Sequence, residues 1–528
     1  MKCVRLKNRN RNHFNVIKKV GLFLVLFMVA MFPKRVEAGS NEFEIKDGVL
    51  INYYGDGGSV TIPDTVTSIG KNAFRNCNNL TSVTIPNSVT SIGEAAFMYC
   101  INLTNVSIPD SVTSIGEDAF FWCKSLVGVS IPNSVTSIGK AAFFDCIKLT
   151  SIVIPASVTY IEDGAFCGCT SLSDITIPTT TTFIGGNVFG DTPWLAKKQK
   201  ENPWVIINNI LVDAELVKGK VTIPNSVSII SGDAFYNNNN VSSITIPDSV
   251  TYIGYNAFSD CRELTSIVIP TSVTYIGRGA FSFCKKLTSL VIPASVTYIG
   301  NEAFYGCSSL SDITIPTTTT FIGDNAFIDT PWLAKKQKEN PLVILNNMIV
   351  DAVLAKGKVT IPNTVISIVG RAFQYNDSIS SVTIPKGVTN IGDYAFAENS
   401  ELTSVTFQGS DITFGEDVFY ESNETLTFYC ASDSTAYEYA KNYEINVKIV
   451  DLKLNKESVS IKKGKTYQLQ ATVYLGDISK QKVTWTSSNK KVVTVSSRGL
   501  IKGLKPGKAT ITALLPNGEK RTCKVVVK

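Results

Sequence analysis

A proline returns every 23 residues along this chain. It stands at Pro63, Pro86, Pro109, Pro132, Pro155 and Pro178, then at Pro224, Pro247, Pro270, Pro293 and Pro316, and last at Pro362 and Pro385. The two wide gaps, 178 to 224 and 316 to 362, are 46 residues each, twice the period, so the register never slips. Self-similarity at a period of this size specifies a solenoid of stacked coils, each touching only its neighbours. Such a stack offers a long regular surface, which points to binding before catalysis.

The coil beginning at Pro86 shows the pattern. Its apolar positions are Val89, Ile92, Ala96, Phe97, Cys100, Leu103, Val106 and Ile108. The stretch Leu103 to Ile108 alternates apolar with polar and reads as a strand. Pro109 ends it, since proline cannot donate to a ladder. Gly93 is expected to permit a tight turn, and Ala96-Phe97 to sit on a short turn or helical piece. In a stack the same position recurs about 4.8 Å above itself, so apolar positions become ladders. Phenylalanine recurs at the period from Phe74 to Phe189, from Phe235 to Phe327, and at Phe373, Phe396 and Phe419. That row is the expected spine of the core.

Of 12 cysteines, eight share one repeat position: Cys77, Cys100, Cys123, Cys146, Cys169, Cys261, Cys284 and Cys307. Asn237 and Gln374 are read as standing at that position in other coils. Neighbouring coils bring such sulfurs close, but each has two equivalent neighbours. Buried free thiols packing as small hydrophobes are favoured over disulfides, and one row of single thiols makes no tetrahedral metal site. Cys167 is read as a cysteine at a variable position.

Residues 1–38 have the layout of a secretory signal peptide. Lys18 and Lys19 precede an apolar run, Val20 to Phe32, and Val36-Glu37-Ala38 supplies a small-residue cleavage site near Ala38. The run is 13 residues, short for a membrane span. A secreted or cell-surface protein with no membrane span is expected. Charge is divided along the chain: residues 452–528 hold 17 Lys and Arg against three acidic residues, net +14, whereas residues 39–451 hold 40 acidic against 24 basic, net −16.

The wide gaps carry a second repeat. Thr192-Pro193-Trp194-Leu195 recurs as Thr330-Pro331-Trp332-Leu333, an offset of 138, six periods. A block of six coils was duplicated with its insert. Within the inserts, about 191–221 and 329–359, Trp204 to Val212 and Leu342 to Val350 read as hairpins with an Asn-Asn turn. Ile45 to Ile62 reads as a similar hairpin capping the N-terminal end of a solenoid that covers 39–449, and Glu438 to Tyr443 as an amphipathic helix in a C-terminal cap. From about 450 to 528 the chain becomes Lys-rich and β-branched, with turns such as Lys463-Gly464, Arg498-Gly499, Pro506-Gly507 and Asn517-Gly518. It reads as a small β-sandwich.

The coil text, IPxSVTSIGxxAFxxC, resembles the BspA-type leucine-rich repeat of bacterial surface proteins over roughly residues 45–450. The tail is similar to a bacterial Ig-like domain of the type 2 group, through Val483 to Asn489, Val492 to Val495, Gly499-Leu500-Ile501, Gly503, Pro506-Gly507 and Ala509-Thr510-Ile511. The resemblance implies a mainly β fold: a leucine-rich-repeat solenoid of 23-residue coils followed by a small Ig-like β-sandwich. It also implies a surface or secreted protein that binds other surfaces, often as an adhesin. Glu162, Ser231 and Val369 replace the Gly expected after Ile, so irregular turns are expected there.

No catalytic residue, metal site or cofactor is expected. The one histidine, His13, lies in the leader, which removes Ser-His-Asp and Cys-His catalysis from the mature chain. The carboxylate pairs Glu117-Asp118, Glu162-Asp163 and Glu416-Asp417 are adjacent on turns and read as solvated surface. General acid–base work needs carboxylates that converge in a cleft.

Two surface ladders are the candidate ligand-binding residues. One is hydroxyl-rich and lies on the strand: Thr265, Ser266, Thr288 and Ser289 belong to it. It is suited to glycans or to a partner's backbone, or is simply what a half-exposed strand prefers. The other is aromatic: Tyr160, Phe183, Tyr252, Tyr275, Tyr298 and Phe321 occupy the position of Ser68, Ser91, Ser114 and Ser137 in the early coils. It either anchors a protein or sugar partner or packs along one wall. The leading function is an exported adhesin-like protein that binds an extracellular protein or glycan through the array. The alternative is a structural envelope spacer whose basic Ig-like tail docks on anionic cell-wall polymer. Nucleic acid is not an expected partner of an exported chain.

Overall fold

The computed structural model describes residues 42–449, 451–474, 483–515 and 520–528. The expected leader and its cut near Ala38 lie outside the described residues, as does the Asn517-Gly518 turn. The chain forms two compact units, Met1–Thr319 and Thr320–Lys528.

In the first unit every full coil contributes two short strands rather than the one expected from the sequence. The first is a two-residue strand such as Ser91–Ile92, and the second a longer one such as Asn105–Ser107. Each pairs in parallel with its equivalent one period away: Ser91 with Ser114, Val83 with Val106. The proline turn joins the two strand rows. The Ser of the PxSV text has a defined task there, because Ser88, Ser111 and Ser134 each donate to the valine carbonyl of the coil beneath.

The third side of the coil is a run of turns over the Gly-x-x-Ala-Phe text. It carries two left-handed residues four positions apart, for example Asn72 and Asn76 (φ 62° and 63°), and Asn256 and Asp260 (φ 49° and 64°). Asn and Asp tolerate that conformation better than most residues. Gly93 is not among the positive-φ residues. Its absent side chain has a steric cause instead of the tight turn expected: a Cβ there would lie 2.8 Å from the Ile69 carbonyl oxygen and 3.0 Å from Gly70 C in the coil beneath.

The Phe spine is fully buried. Phe97 stacks on Phe120 at 5.2 Å and 4°, and Phe143 on Phe166 at 5.4 Å and 2°. A satellite cluster lies apart from this core. It gathers Met98, Phe121, Phe144 and Cys167, with Tyr99 and Trp122 packed against it.

The insert contains a helix that the sequence reading missed, α1 (Pro193–Glu201). Thr192 caps it, accepting from the Leu195 amide at 3.1 Å, Pro193 opens it, and Asn202-Pro203 ends it. Trp194 and Leu195 are its buried residues. A hairpin follows, Val205–Ile207 with Ile210–Asp213, turned by Asn208 and Asn209 in the left-handed region (φ 49° and 64°). Ile210 pairs in parallel with Ile229. The hairpin is a shortened coil that skips the Gly-x-x-Ala-Phe side, and on that side the flanking coils meet directly.

Ser231 shows this contact, since its hydroxyl donates to the carbonyls of Ile184 and Gly185. The irregular turns expected at Glu162, Ser231 and Val369 do not occur. Their amides donate to Ile138, Leu211 and Ile349 in the same way that Gly116 donates to Ile92. The position does not require positive φ: the shortened coils leave room for a side chain at Ser231 and Val369, and Glu162 carries one above the full coil of Gly139.

The second unit holds its own helix α2 (Pro331–Glu339), hairpin Val343–Leu345 with Met348–Asp351, and parallel rows of the same kind. Its coils end on Thr427–Cys430 paired with Asn446–Ile449 and on α3 (Thr435–Asn442). Tyr439 of α3 stacks on Phe414 at 4.5 Å, covering the last core layer. The Ig-like module contains a four-stranded sheet in which Gly507–Leu514 lies between Thr484–Ser487 and Lys520–Val527, with Ser458–Ile461 outside the last. It also contains a three-stranded sheet of Thr466–Gln468, Leu500–Gly503 and Val493–Val495. Leu469, Val493, Ile501, Ile511 and Val525 fill its core. Gly499 needs its left-handed φ of 81°, and a Cβ there would strike the Trp485 ring.

Candidate functional site

The aromatic ladder forms a continuous stripe in the first unit. Tyr160 stacks on Phe183 at 4.3 Å and 12°, Tyr252 on Tyr275 at 4.7 Å and 6°, and Tyr275 on Tyr298 at 4.5 Å and 10°. Phe183 and Tyr252 meet edge to face at 6.0 Å, although the insert separates them in sequence. The stripe is half-buried: Tyr160 is 44% exposed and the next four rings are intermediate. Phe321, 42% exposed, belongs to the second unit.

Rings stacked at these distances cover one another's faces. The stripe therefore presents ring edges and hydroxyls, and few open faces. Burial, with the neighbouring tyrosine hydroxyl, pushes the Tyr252 and Tyr275 phenols above their ordinary range, so they stay protonated. A row of threonines runs beside the stripe, with Thr182, Thr251 and Thr274 each donating to the carbonyl one period back.

The hydroxyl ladder lies in a different strand row. Thr265, Ser266, Thr288 and Ser289 are exposed, but their hydrogen-bonding capacity is partly spent within the stack. Thr265 donates to the Ser242 carbonyl at 2.9 Å, and Ser266 shares a 2.9 Å bond with Ser243. Val268 and Val291, 62% and 68% exposed, interrupt the polar face. The structure thus does not bring the two candidate ladders together in one sheet.

All three carboxylate pairs are less solvated than expected, and Asp417 is intermediate in exposure beside an exposed Glu416. Asp118 and Asp163 are intermediate in exposure while Glu117 and Glu162 are exposed. Burial, with Glu117 beside it, pushes the Asp118 carboxyl up to about 6. Burial also raises Asp163, although the Gly186 amide donates to its Oδ1 at 2.7 Å. Neither converges with a second acid in a cleft. Among the described residues no group of His, Cys, Asp and Glu is arranged to hold a metal ion, and no helix is long and apolar enough to cross a membrane.

The cysteine row is a donor position. Cys100, Cys123 and Cys146 donate to the carbonyls of Phe74, Phe97 and Phe120 at 3.1, 3.2 and 3.3 Å. The residues that share the position are Asn238 and Asn376, one and two places on from the Asn237 and Gln374 of the sequence reading. Asn238 and Asn376 likewise donate to carbonyls of the coil beneath, and Ser422 bonds the Phe396 carbonyl at 2.8 Å. Burial raises the thiols of Cys100, Cys123 and Cys146 well above the ordinary range. They remain neutral and unreactive.

Residues 53–106, 90–209, 216–333 and 355–464 match the family described as BspA type leucine rich repeat region (6 copies), and residues 447–526 match the bacterial Ig-like domain (group 2). Among solved structures the chain is similar to a leucine rich cell surface protein from Faecalibacterium prausnitzii A2-165 (29% identity, TM-score 0.34, covering 57% of this chain and 94% of that one). It is also similar to the pneumococcal vaccine antigen PcpA (15% identity, TM-score 0.30, covering 77% and 95%). Short stretches match a 3-O-alpha-D-galactosyl-alpha-L-arabinofuranosidase of Bifidobacterium longum subsp. longum (32% over 90 residues, 17% of this chain and 8% of the relative). Others match a lacto-N-biosidase of Bifidobacterium bifidum (43% over 70 residues, 13% and 6%). The chain spans less than a tenth of the length of either curated relative. With two strand rows per 23-residue coil, a Phe spine and the repeat text matched along most of its length, the chain belongs to the BspA-type leucine-rich-repeat family and ends in a group 2 bacterial Ig-like domain.

Proposed function

We propose that this is an exported surface protein that binds an extracellular partner through its array, in the manner of an adhesin, and that it carries out no catalysis. The observation that carries the reading is the aromatic stripe from Tyr160 to Tyr298, which stays continuous across the insert. Aromatic side chains half out of water, in a row and flanked by threonine hydroxyls, are what a protein interface uses as anchors. Because the rings offer edges and hydroxyls, a protein surface that packs apolar side chains between them fits better than a sugar that needs an open ring face. The Ser row of the early coils, Ser68 to Ser137, is the natural contrast within the sheet that holds Tyr160 and Phe183.

The test is binding of the purified protein to immobilised extracellular-matrix proteins and glycans, with Tyr252, Tyr275 and Tyr298 together replaced by Ser. A saturable partner lost in the triple variant, with melting unchanged, supports the reading. Full retention of that partner by the triple variant ends it. The second reading, an envelope spacer held by its tail, rests on the net charge of +14 in residues 452–528. It is checked by retention of the protein on cell walls and its release by salt.

A further inference from the structure

A cleft lies where the insert interrupts the second strand row. In its sheet Asp174–Thr176 is the last strand, paired with Ser151–Val153 on one side only. Helix α1 packs beside it where the next coil's strand would otherwise lie. Between them is a cleft of about 340 Å³ lined by Ser173, Asp174, Ile175, Ile177, Trp194, Lys197, Lys198 and Ile207, within the range of small-ligand sites.

The walls are fixed from several sides. The Trp194 amide donates to Leu172 O at 3.1 Å. Gln199 of α1 holds Asp213 of the hairpin at 2.9 Å, and Asn208 donates to the carbonyls of Pro178 and Thr181 at 2.8 and 3.0 Å. The lining is chemically divided. Ser173 and Asp174 are exposed on the strand side, and Lys197 and Lys198 stand on the helix side, with isoleucines and the Trp194 ring between. Lys198 is paired with Glu201 at 2.9 Å, whereas Lys197 has no hydrogen-bonded or ion-paired partner among the described residues. In an array of net charge −16 these lysines concentrate positive charge beside a carboxylate without forming an ion pair to it.

The duplication within the chain adds a second observation. Residues 171–185 and 193–203 recur without a single change at 309–323 and 331–341. The segments between and after them drifted: Gly186, Val188 and Gly190 correspond to Asp324, Ala326 and Ile328, and Trp204 and Ile210 to Leu342 and Met348. The polar lining residues Ser173, Asp174, Lys197 and Lys198 were thus retained together with the buried Ile175 and Trp194, while the lining residue Ile207 became Leu345 and the buried Val188 and Ile210 became Ala326 and Met348.

We propose that this cleft binds an acidic saccharide unit. Lys197 and Lys198 receive its carboxylate, Asp174 and Ser173 accept from and donate to its hydroxyls, and Ile177 and Ile207 meet the apolar face of the ring beside the largely buried Trp194. The site is separate from the aromatic stripe.

The experiment uses the purified protein labelled with 5-fluorotryptophan, with the Trp194 resonance assigned through Trp194→Phe. It is titrated with a glucuronate-containing tetrasaccharide, with the carboxyl-reduced form of that tetrasaccharide, and with succinate. The expected result is a saturable shift of the Trp194 signal with the acidic saccharide, at least tenfold weaker binding of the reduced form, no matching shift with succinate, and loss of the effect in Lys197→Glu and Asp174→Asn. The Tyr252, Tyr275 and Tyr298 to Ser variant retains the shift, so failure of the stripe and failure of this site are read separately. No shift, an equal shift with the reduced form or with succinate, or an unchanged titration in Lys197→Glu overturns the proposal.

Discussion

Cys123 donates its thiol hydrogen to the carbonyl oxygen of Phe97, 26 residues earlier, at 3.2 Å. The bond joins two coils inside the core. The Phe97 oxygen also accepts from the Cys100 amide at 3.1 Å, so losing the thiol removes one of its two donors and costs about 0.5–1.5 kcal/mol, the net worth of an ordinary hydrogen bond. Cys123→Ala is therefore expected to lower the urea midpoint, and Cys123→Ser to lower it by much less, because Ser422 makes the same bond in its own coil. The native thiols of this row are expected to be silent to a thiol reagent until the protein unfolds. Equal losses in the Ala and Ser variants would show that volume, not the donor, is what matters.

Asp118 gives the array a pH dependence of definite sign. Burial raises its folded-state value to about 6 from the ordinary 3.8, so between those values the folded state holds more protons than the unfolded one. Its contribution to stability is present at low pH and is lost as pH rises through that window. Asp118→Asn is expected to stabilise the protein at pH 7 by roughly 1–2 kcal/mol, and to flatten the stability profile between pH 4 and 6. Asn also suits the left-handed φ of 54° at this position. Thermal melts across that pH range are the check.

Phe258 stacks between Phe235 at 5.0 Å and Phe281 at 5.2 Å and is fully buried. Truncating it opens a cavity between two coils that cannot close independently. Phe258→Ala is expected to cost about 3–5 kcal/mol. Hydrogen exchange should then accelerate first in the coils that hold Phe235 and Phe281, because each coil is stabilised mainly by its neighbours.

Gly277 has no room for a methyl group. A Cβ there would lie 2.5 Å from Gly254 C and 2.6 Å from the Tyr255 amide nitrogen, both backbone atoms of the coil beneath. Gly277→Ala is expected to spread the coils and lower the melting temperature markedly. Ser231→Ala, at the equivalent position above the shortened coil, should cost only the hydrogen bonds its hydroxyl makes to Ile184 and Gly185. Comparable losses in the two variants would contradict the steric account of this position.

The period alone determined most of the architecture. When a residue stacks on the residue 23 places away, every coil repeats the same environment, so the Phe spine, the strand that ends at each proline and the thiol row are all written in one coil and confirmed by the next. The Asn-Asn turns of the inserts were equally legible, because the left-handed backbone of a tight hairpin selects those residues locally. The two-residue strands escaped notice because alternation over two positions carries no signal. Helix α1 escaped because its charged face masks the short apolar one.

What only the tertiary structure decided lies where the period is interrupted. Ile210 and its hairpin shorten one coil, and that lets Ser231 reach Ile184, Phe183 meet Tyr252, and Trp194 stand beside Asp174. These contacts join residues whose separations are set by the path of the insert and not by the repeat. The half-burial of Asp118 and Asp163 is of the same kind. An acidic pair on a turn reads as solvated, and its exposure is settled by how closely the next coil covers it.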